Sequence, residues 1–460
     1  LGGAVKLREV GTGRELATLI AVGRSDWLVV TPDGLFDGSP AAWQRILWRF
    51  SPRLYDVAPV EAFFSEFYHP DLLADLFAGR RPQATTDISQ RDRRQPQVKV
   101  SLANDATASS VTTRLAAVSL NVTQSGAGAQ DVRLFRNGSL VKVWHGDVLN
   151  GQNSVTLEAK ILIVAGENRF TAYAFNRDNI KSSDASLLVT GADSLKRKGV
   201  AYVVAAGVNE YANAQYNLKY AVADAQDFEA ELKRQQLQVK NFERVEVVSL
   251  DNQQATKAGI LKTLADLGAR IQPEDALIIF FAGHGTAQQN RFYLIPHDLG
   301  YGGARTSLTA EGLQTILSHS ISDEELEKSM EGIDAGQILL VIDACNSGQA
   351  LEAEEKRRGP MNSKGLAQLA YEKGMYILTA AQSYQAANEA QRLGHGYLTY
   401  ALVEEGLKTN AADKEPKDGQ VLLREWLNYA TERVPQMQEA ELTSQLRQGR
   451  QLERIKFAET

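Results

Sequence analysis

Two short apolar runs, each ending abruptly in small and polar residues, frame the C-terminal half of the chain. Ile338 to Ile342 (ILLVI) contains no polar residue, the pattern of a strand covered on both faces of a parallel sheet. Ala276 to Phe281 (ALIIFF) repeats it upstream, and Val200 to Gly207 (VAYVVAAG) has the same character. Between and beyond these runs, helical spacing predicts helices over 221–235, 255–271 and 397–407, and further strands are predicted over 244–250 and 374–380. Strand and helix alternate. The expectation is an α/β domain over 198–460 built on a mostly parallel six-stranded sheet.

The N-terminal half has a different period. Residues 1–40 hold short alternating runs separated by TG and PDG turn signals, which predicts antiparallel β-structure. TGRELATL followed by DWLVVTPDGLF resembles the last blade of a WD-repeat propeller, a plain β-hairpin linker being the other reading. Over 41–78, Trp43, Ile46, Val60, Phe63, Phe64, Phe67, Leu72 and Leu76 fall at helical spacing, and 79–97 is polar, basic and aperiodic, as in a linker. Seven short alternating segments then fill 98–192, with turn residues between them. That spacing indicates an immunoglobulin-like β-sandwich with a spacer or docking role. A charged hinge over 191–199 joins it to the α/β domain.

Composition narrows the function classes. The 460 residues are 43% hydrophobic and 23% charged, as in ordinary globular protein, and the net charge of −6 argues against a general binder of nucleic acid or acidic membrane. Cys345 is the single cysteine, so no internal disulfide forms, and a reducing, cytoplasmic setting is the simpler reading. No apolar run approaches the length of a membrane span. The chain starts at Leu1 inside patterned sequence, which reads as a piece of a longer protein.

The candidate chemistry sits where the two apolar runs end. Ala282, Gly283, His284 and Gly285 follow one, and Asp343, Ala344, Cys345, Asn346, Ser347 and Gly348 follow the other. A thiol and an imidazole thus reach the carboxyl edge of a sheet, where open α/β folds place their sites. A free thiol needs an adjacent base to attack a carbonyl, and His284 is the candidate. His395, in LGHGYLTYAL, is a rival base, but it precedes a helix rather than following a buried strand.

AGHG and DACNSG, with the histidine about 60 residues upstream, resemble the caspase-like cysteine peptidases of the bacterial metacaspase (orthocaspase, peptidase C14-like) type. The resemblance covers about 200 to 410. It implies a cysteine endopeptidase with Cys345 as nucleophile, His284 as general acid and base, and backbone N–H groups of Gly285 and Cys345 as oxyanion donors. Asp343 matches the metacaspase S1 acid, which implies cleavage after Arg or Lys; the alternative is that it only caps a turn. Metacaspases bring a second S1 acid from a later segment, where this chain has Ser383 and Gln385, with Glu389 further on. Related enzymes cut themselves in the linker after the cysteine strand, which here makes Lys356, Arg357, Arg358 and Lys364 in 349–373 candidate sites. Some metacaspases need calcium, but SDEELE over 322–327 reads as a capped helix, without an EF-hand's alternating ligands, so no metal or other cofactor is expected. The partners implied are protein or peptide substrates, with a protein partner on the N-terminal β-domains, and neither nucleic acid nor membrane. The other functional class is an inactive caspase-like scaffold.

Overall fold

Alternating apolar and polar residues at the N-terminus form a four-stranded antiparallel meander of β1 (Ala4–Arg8), β2 (Glu15–Val22), β3 (Asp26–Val30) and β4 (Phe36–Gly38), in that order. The computed structural model describes residues 3–23, 26–53, 56–103, 111–288, 291–346, 364–380 and 393–447. It divides into two units, Leu1–Arg197 and Lys198–Phe457.

Within the first unit, the helical spacing of 41–78 yields only short turns of helix at Pro40–Trp43, Val60–Phe63, Phe64–Phe67 and Leu72–Phe77, plus the hairpin of β5 (Leu47–Arg49) and β6 (Val57–Pro59). Trp43, Phe63, Phe64 and Phe67 are all buried, so the aromatic stripe is core. The stretch 79–97, expected to be a linker, is fastened along its length. Arg91 pairs with Glu66, Arg93 reaches Asp56 at 2.8 Å and lies over the Phe50 ring, and Asp178 accepts from the Asp92 N–H at 2.7 Å. The basic residues that suggested a linker are ion-pair partners.

All seven segments of 98–190 are strands: β7 (Gln97–Leu102), β8 (Leu115–Thr123), β9 (Gln130–Arg136), β10 (Ser139–Asp147), β11 (Ser154–Leu162), β12 (Gly166–Phe175) and β13 (Ala185–Gly191). They form two antiparallel sheets, β10-β9-β12-β13 and β11-β8-β7. Val118, Leu120 and Val122 of one sheet meet Val132, Leu134, Phe170 and Ala172 of the other in one core. The inward positions alternate, as two sheets face to face require.

In the second unit the apolar runs become β14 (Ala201–Gly207), β16 (Ala276–Gln288) and β19 (Gln337–Asn346), flanked by β15 (Val245–Asp251) and β20 (Tyr376–Thr379). These five are parallel, in the order β15-β14-β16-β19-β20. The expected six strands become seven among the described residues. The distal half of β16 also pairs antiparallel with β17 (Arg291–Ile295), and β17 with β18 (Ile321–Ser322), so the sheet is mixed.

Both faces of this sheet are covered, which is why its strands read as continuous apolar runs. Leu277, Ile279, Ile338, Leu340 and Ile342 pack with Ile260, Leu264, Leu326 and Met330 from the helices Lys257–Gly268 and Asp323–Met330. The opposite face packs Phe280, Leu339 and Val341 against Phe228, Leu402 and Trp426. These come from the long helix Ala221–Val239, the π-helix Tyr400–Lys408 and the helix Leu423–Arg447. Asp323–Met330 begins with the capping box: Ser322 Oγ accepts from the Glu325 N–H at 3.2 Å, and Glu325 Oε2 from the Ser322 N–H at 3.1 Å. The segment 349–373 is not linker throughout, because it ends in the helix Lys364–Lys373, whose Leu366 and Leu369 are buried. No described helix is long and apolar enough to cross a membrane.

Candidate active site

Strand register brings the two candidate catalytic positions together. In the parallel ladder of β16 and β19, Ala276 is level with Gln337, and the count runs unbroken to Ala282 beside Asp343, His284 beside Cys345 and Gly285 beside Asn346. Neighbouring strands lie about 4.8 Å apart. The backbones at 284 and 345 therefore adjoin at the carboxyl edge of the sheet. For Cys345 this backbone position is what the structure describes.

The His284 side chain is almost wholly enclosed, the residue being 3% exposed. Its Nε2 lies 2.8 Å from the Tyr216 carbonyl oxygen. A carbonyl only accepts, so Nε2 carries the proton and Nδ1 keeps the lone pair. Nδ1 has no hydrogen-bond partner among the described residues. The Tyr211 ring tilts against the imidazole with centroids 4.9 Å apart, Tyr216 meets it edge-on, and the His284 N–H donates to Tyr211 Oη at 2.8 Å. The flanking glycines permit this closeness. A Cβ at 283 would stand 2.9 Å from Tyr211 Oη, and one at 285 would stand 3.2 Å from the Ala344 Cβ.

Burial lowers the pKa of His284 to about 4; the Tyr216 carbonyl opposes the shift and the charge of Arg305 adds to it. The imidazole is consequently neutral at pH 7. It can act as a base through Nδ1.

Tyr211 and Tyr216 belong to the loop after β14, which is ordered by asparagine side chains. Asn217 Oδ1 accepts from the Tyr211 N–H at 2.9 Å, and Asn213 Nδ2 donates to the carbonyls of Tyr301 and Gly303. The contribution of Tyr216 is a main-chain oxygen, which no side-chain motif announces. The only signal was position, since this loop leaves the same sheet edge as the histidine and cysteine strands.

Asp343 is 6% exposed, and its Oδ2 accepts from the Thr399 N–H at 3.0 Å and from the Thr399 hydroxyl at 2.5 Å. It thus caps the turn that starts the helix Tyr397–Thr399. Beside it the fold brings a second carboxylate that the sequence reading missed. Asp224, in the first turn of Ala221–Val239, is 4% exposed, accepts from the Gly396 N–H at 3.1 Å and pairs with His395 Nδ1 at 2.9 Å. Burial, and next the charge of Asp224, push Asp343 up to about 7. Burial also raises Asp224, against the pull of His395, whose own pKa rises chiefly through the bond to Asp224.

His395, the rival base, is therefore committed to Asp224. His297 and His319 are bonded to backbone carbonyls and His69 to Asp75. Ser383, Gln385, Glu389, Lys356, Arg357 and Arg358 lie outside the described residues, and Lys364 is the first residue of its helix.

The caspase-domain family model matches residues 198–453. No curated protein matches the chain. Among solved structures, a Geobacter sulfurreducens protein is 15% identical over 32% of this chain and 50% of its own, with a TM-score of 0.23. The fibronectin(III)-like modules of Clostridium thermocellum CbhA are 17% identical over 21% of this chain and 99% of theirs, with a TM-score of 0.16. The CARDB domain of a Pyrococcus furiosus protein is 19% identical over 22% of this chain and 97% of its own, with a TM-score of 0.18. Scores this low say nothing about function.

Proposed function

Because the chain belongs to the caspase-domain family, we propose that it is a cysteine endopeptidase that uses Cys345 as nucleophile and His284 as general acid and base. The observation that carries this reading is the Nδ1 lone pair of His284, buried and without a partner among the described residues, on the residue level with Cys345. Nδ1 takes the thiol proton as sulfur attacks the scissile carbonyl carbon, giving a tetrahedral oxyanion. The imidazolium returns the proton to the leaving amine as the C–N bond breaks, leaving a thioester, which water hydrolyses with His284 again as base. The oxyanion is assigned to the backbone N–H groups of Gly285 and Cys345, at the same sheet edge. The bond from Tyr216 O to Nε2–H holds the ring in the tautomer these steps need.

Cleavage after Arg or Lys is supported by two carboxylates, Asp343 and Asp224, at the cysteine strand's end. Burial of both would make an acidic P1 side chain costly to admit. On this assignment the Arg357 and Arg358 region of 349–363 is a self-cleavage site; Lys364, at a helix start, is a poorer one. Since Asp343 titrates near 7, kcat/KM for a P1-Arg peptide rises with pH through that value as the carboxylate ionises.

Asp343→Asn tests the pocket. The variant should lose hydrolysis after Arg and Lys by at least about 10²-fold, by the loss of a buried charge partner, and should stay uncut between Gln349 and Lys373. Its stability should move the other way. The folded value near 7 lies above the unfolded carboxylate value, so wild-type Asp343 costs stability as pH rises from about 4 to 7. Asn keeps the acceptor for Thr399 without a charge, so Tm at pH 8 should rise. Unchanged P1-Arg hydrolysis would reduce Asp343 to a turn cap.

A further inference from the structure

Beside the pocket acids, the fold assembles donors that lie far apart in sequence. His395 Nε2 faces Asp227 Oδ2 at 3.4 Å and Glu404 Oε1 at 3.8 Å, and the three donor atoms lie within 4.8 Å of one another. Asp227 is carried by the helix Ala221–Val239 and Glu404 by the helix Tyr400–Lys408. His395 precedes Gly396, the N-cap of Tyr397–Thr399. The Nε2 separations are longer than a well-formed hydrogen bond. They are close to the donor-to-donor spacing of about 3.4 Å that follows from a tetrahedral ion with bonds of about 2.0 to 2.1 Å.

We propose that Asp227, His395 and Glu404 bind a divalent transition ion of the zinc class. The second observation is the partner on the other ring nitrogen: the buried Asp224 carboxylate lies 2.9 Å from Nδ1 and is itself fixed by the Gly396 N–H. A carboxylate on the far nitrogen sets a metal-bound histidine's tautomer and raises its basicity, and here it leaves Nε2 as the donor. An imidazole with two carboxylates suits zinc or cobalt, whereas calcium prefers six or more oxygens. One competitor is present, because Lys408 Nζ pairs with Glu404 Oε1, so the ion must share or displace that contact. The groups facing His395 are Asp224 and Asp227 on one helix, Glu404 and Lys408 on another, and Asp343 at the strand end, whose charge also bears on Asp224.

The test is titration with Co²⁺ of a Cys345→Ala protein, which removes the thiol as a competing ligand, read by visible absorption and by displacement with Zn²⁺. About one equivalent should bind. His395→Gln should abolish binding, Asp227→Asn should weaken it, and Asp224→Asn, outside the metal's own ligands, should cost about 10- to 100-fold. Lys408→Ala should tighten it. Circular dichroism checks that His395→Gln folds, and the half-exposed Asp227 gives a variant that does not disturb the core. No binding to Cys345→Ala, or equal binding in the His395 and Asp227 variants, overturns the proposal. Because the readout is metal binding, it stands or falls apart from peptidase activity.

Discussion

Replacing His284 with Asn lowers kcat/KM for peptide hydrolysis by about 10² to 10⁴, the usual contribution of general acid–base catalysis. The Tyr216 carbonyl fixes the proton of His284 on Nε2, Nδ1 has no partner among the described residues, and the backbone is level with Cys345. Asn offers an amide that neither takes nor returns a proton. In the wild type, loss of the base occurs only near pH 4, because burial depresses the imidazole pKa. The acid limb set by this residue therefore lies well below an ordinary histidine's. Stability responds in the same window. The folded value is below the unfolded value of about 6.5, so the unfolded chain binds more protons between about 4 and 6.5. His284 thus withdraws stability as pH falls through that range, and the Asn variant should lose less stability over the same interval. Rate profiles and denaturant melts from pH 4 to 8 check both halves. An Asn variant retaining full activity would show that the base lies elsewhere.

Phe228→Ala costs about 3 to 5 kcal/mol of folding stability, the range for removing a wholly buried aromatic side chain. Phe228 stacks on Phe280 of β16 with centroids 4.4 Å apart and on Trp426 with centroids 5.8 Å apart, and Phe228 and Phe280 have no exposed surface. Trp426 is anchored in turn by its Nε1–H donating to the Leu402 carbonyl at 2.9 Å. The stack thus joins the sheet to the helices Ala221–Val239 and Leu423–Arg447. It also supports the site, since Asp224 lies one helical turn before Phe228 on the same helix face. Denaturant unfolding measures the loss. A change under about 1 kcal/mol would mean that the surrounding side chains collapse to fill the space.

The two strands that carry Cys345 and His284 were legible because buried strands have a strong signature. ALIIFF and ILLVI could be little else, and each stops at a reactive residue. What the sequence could not contain is that 276 pairs with 337, which makes 284 level with 345. Asp224 was invisible for a related reason. In AVADAQDFEAEL it looks like any solvated helix acid, and only folding places it against Asp343 and the turn at Gly396. A second acid was sought near Ser383 and Gln385, whereas the buried carboxylate whose charge bears on Asp343 comes from a helix over 100 residues earlier. Upstream, the apolar spacing of 41–78 promised longer helices than form, because Pro52, Pro59 and Pro70 interrupt them. The basic run 79–97 misled because its arginines find Asp56 and Glu66, partners that local composition does not reveal.

The most direct measurement is hydrolysis of fluorogenic peptides carrying Arg, Lys or Asp at P1 by the wild type and by Cys345→Ala. Turnover after Arg and Lys is expected in the wild type and should disappear in the variant, with no turnover after Asp. Turnover that survives in Cys345→Ala would contradict that expectation, because the nucleophile would then be another residue.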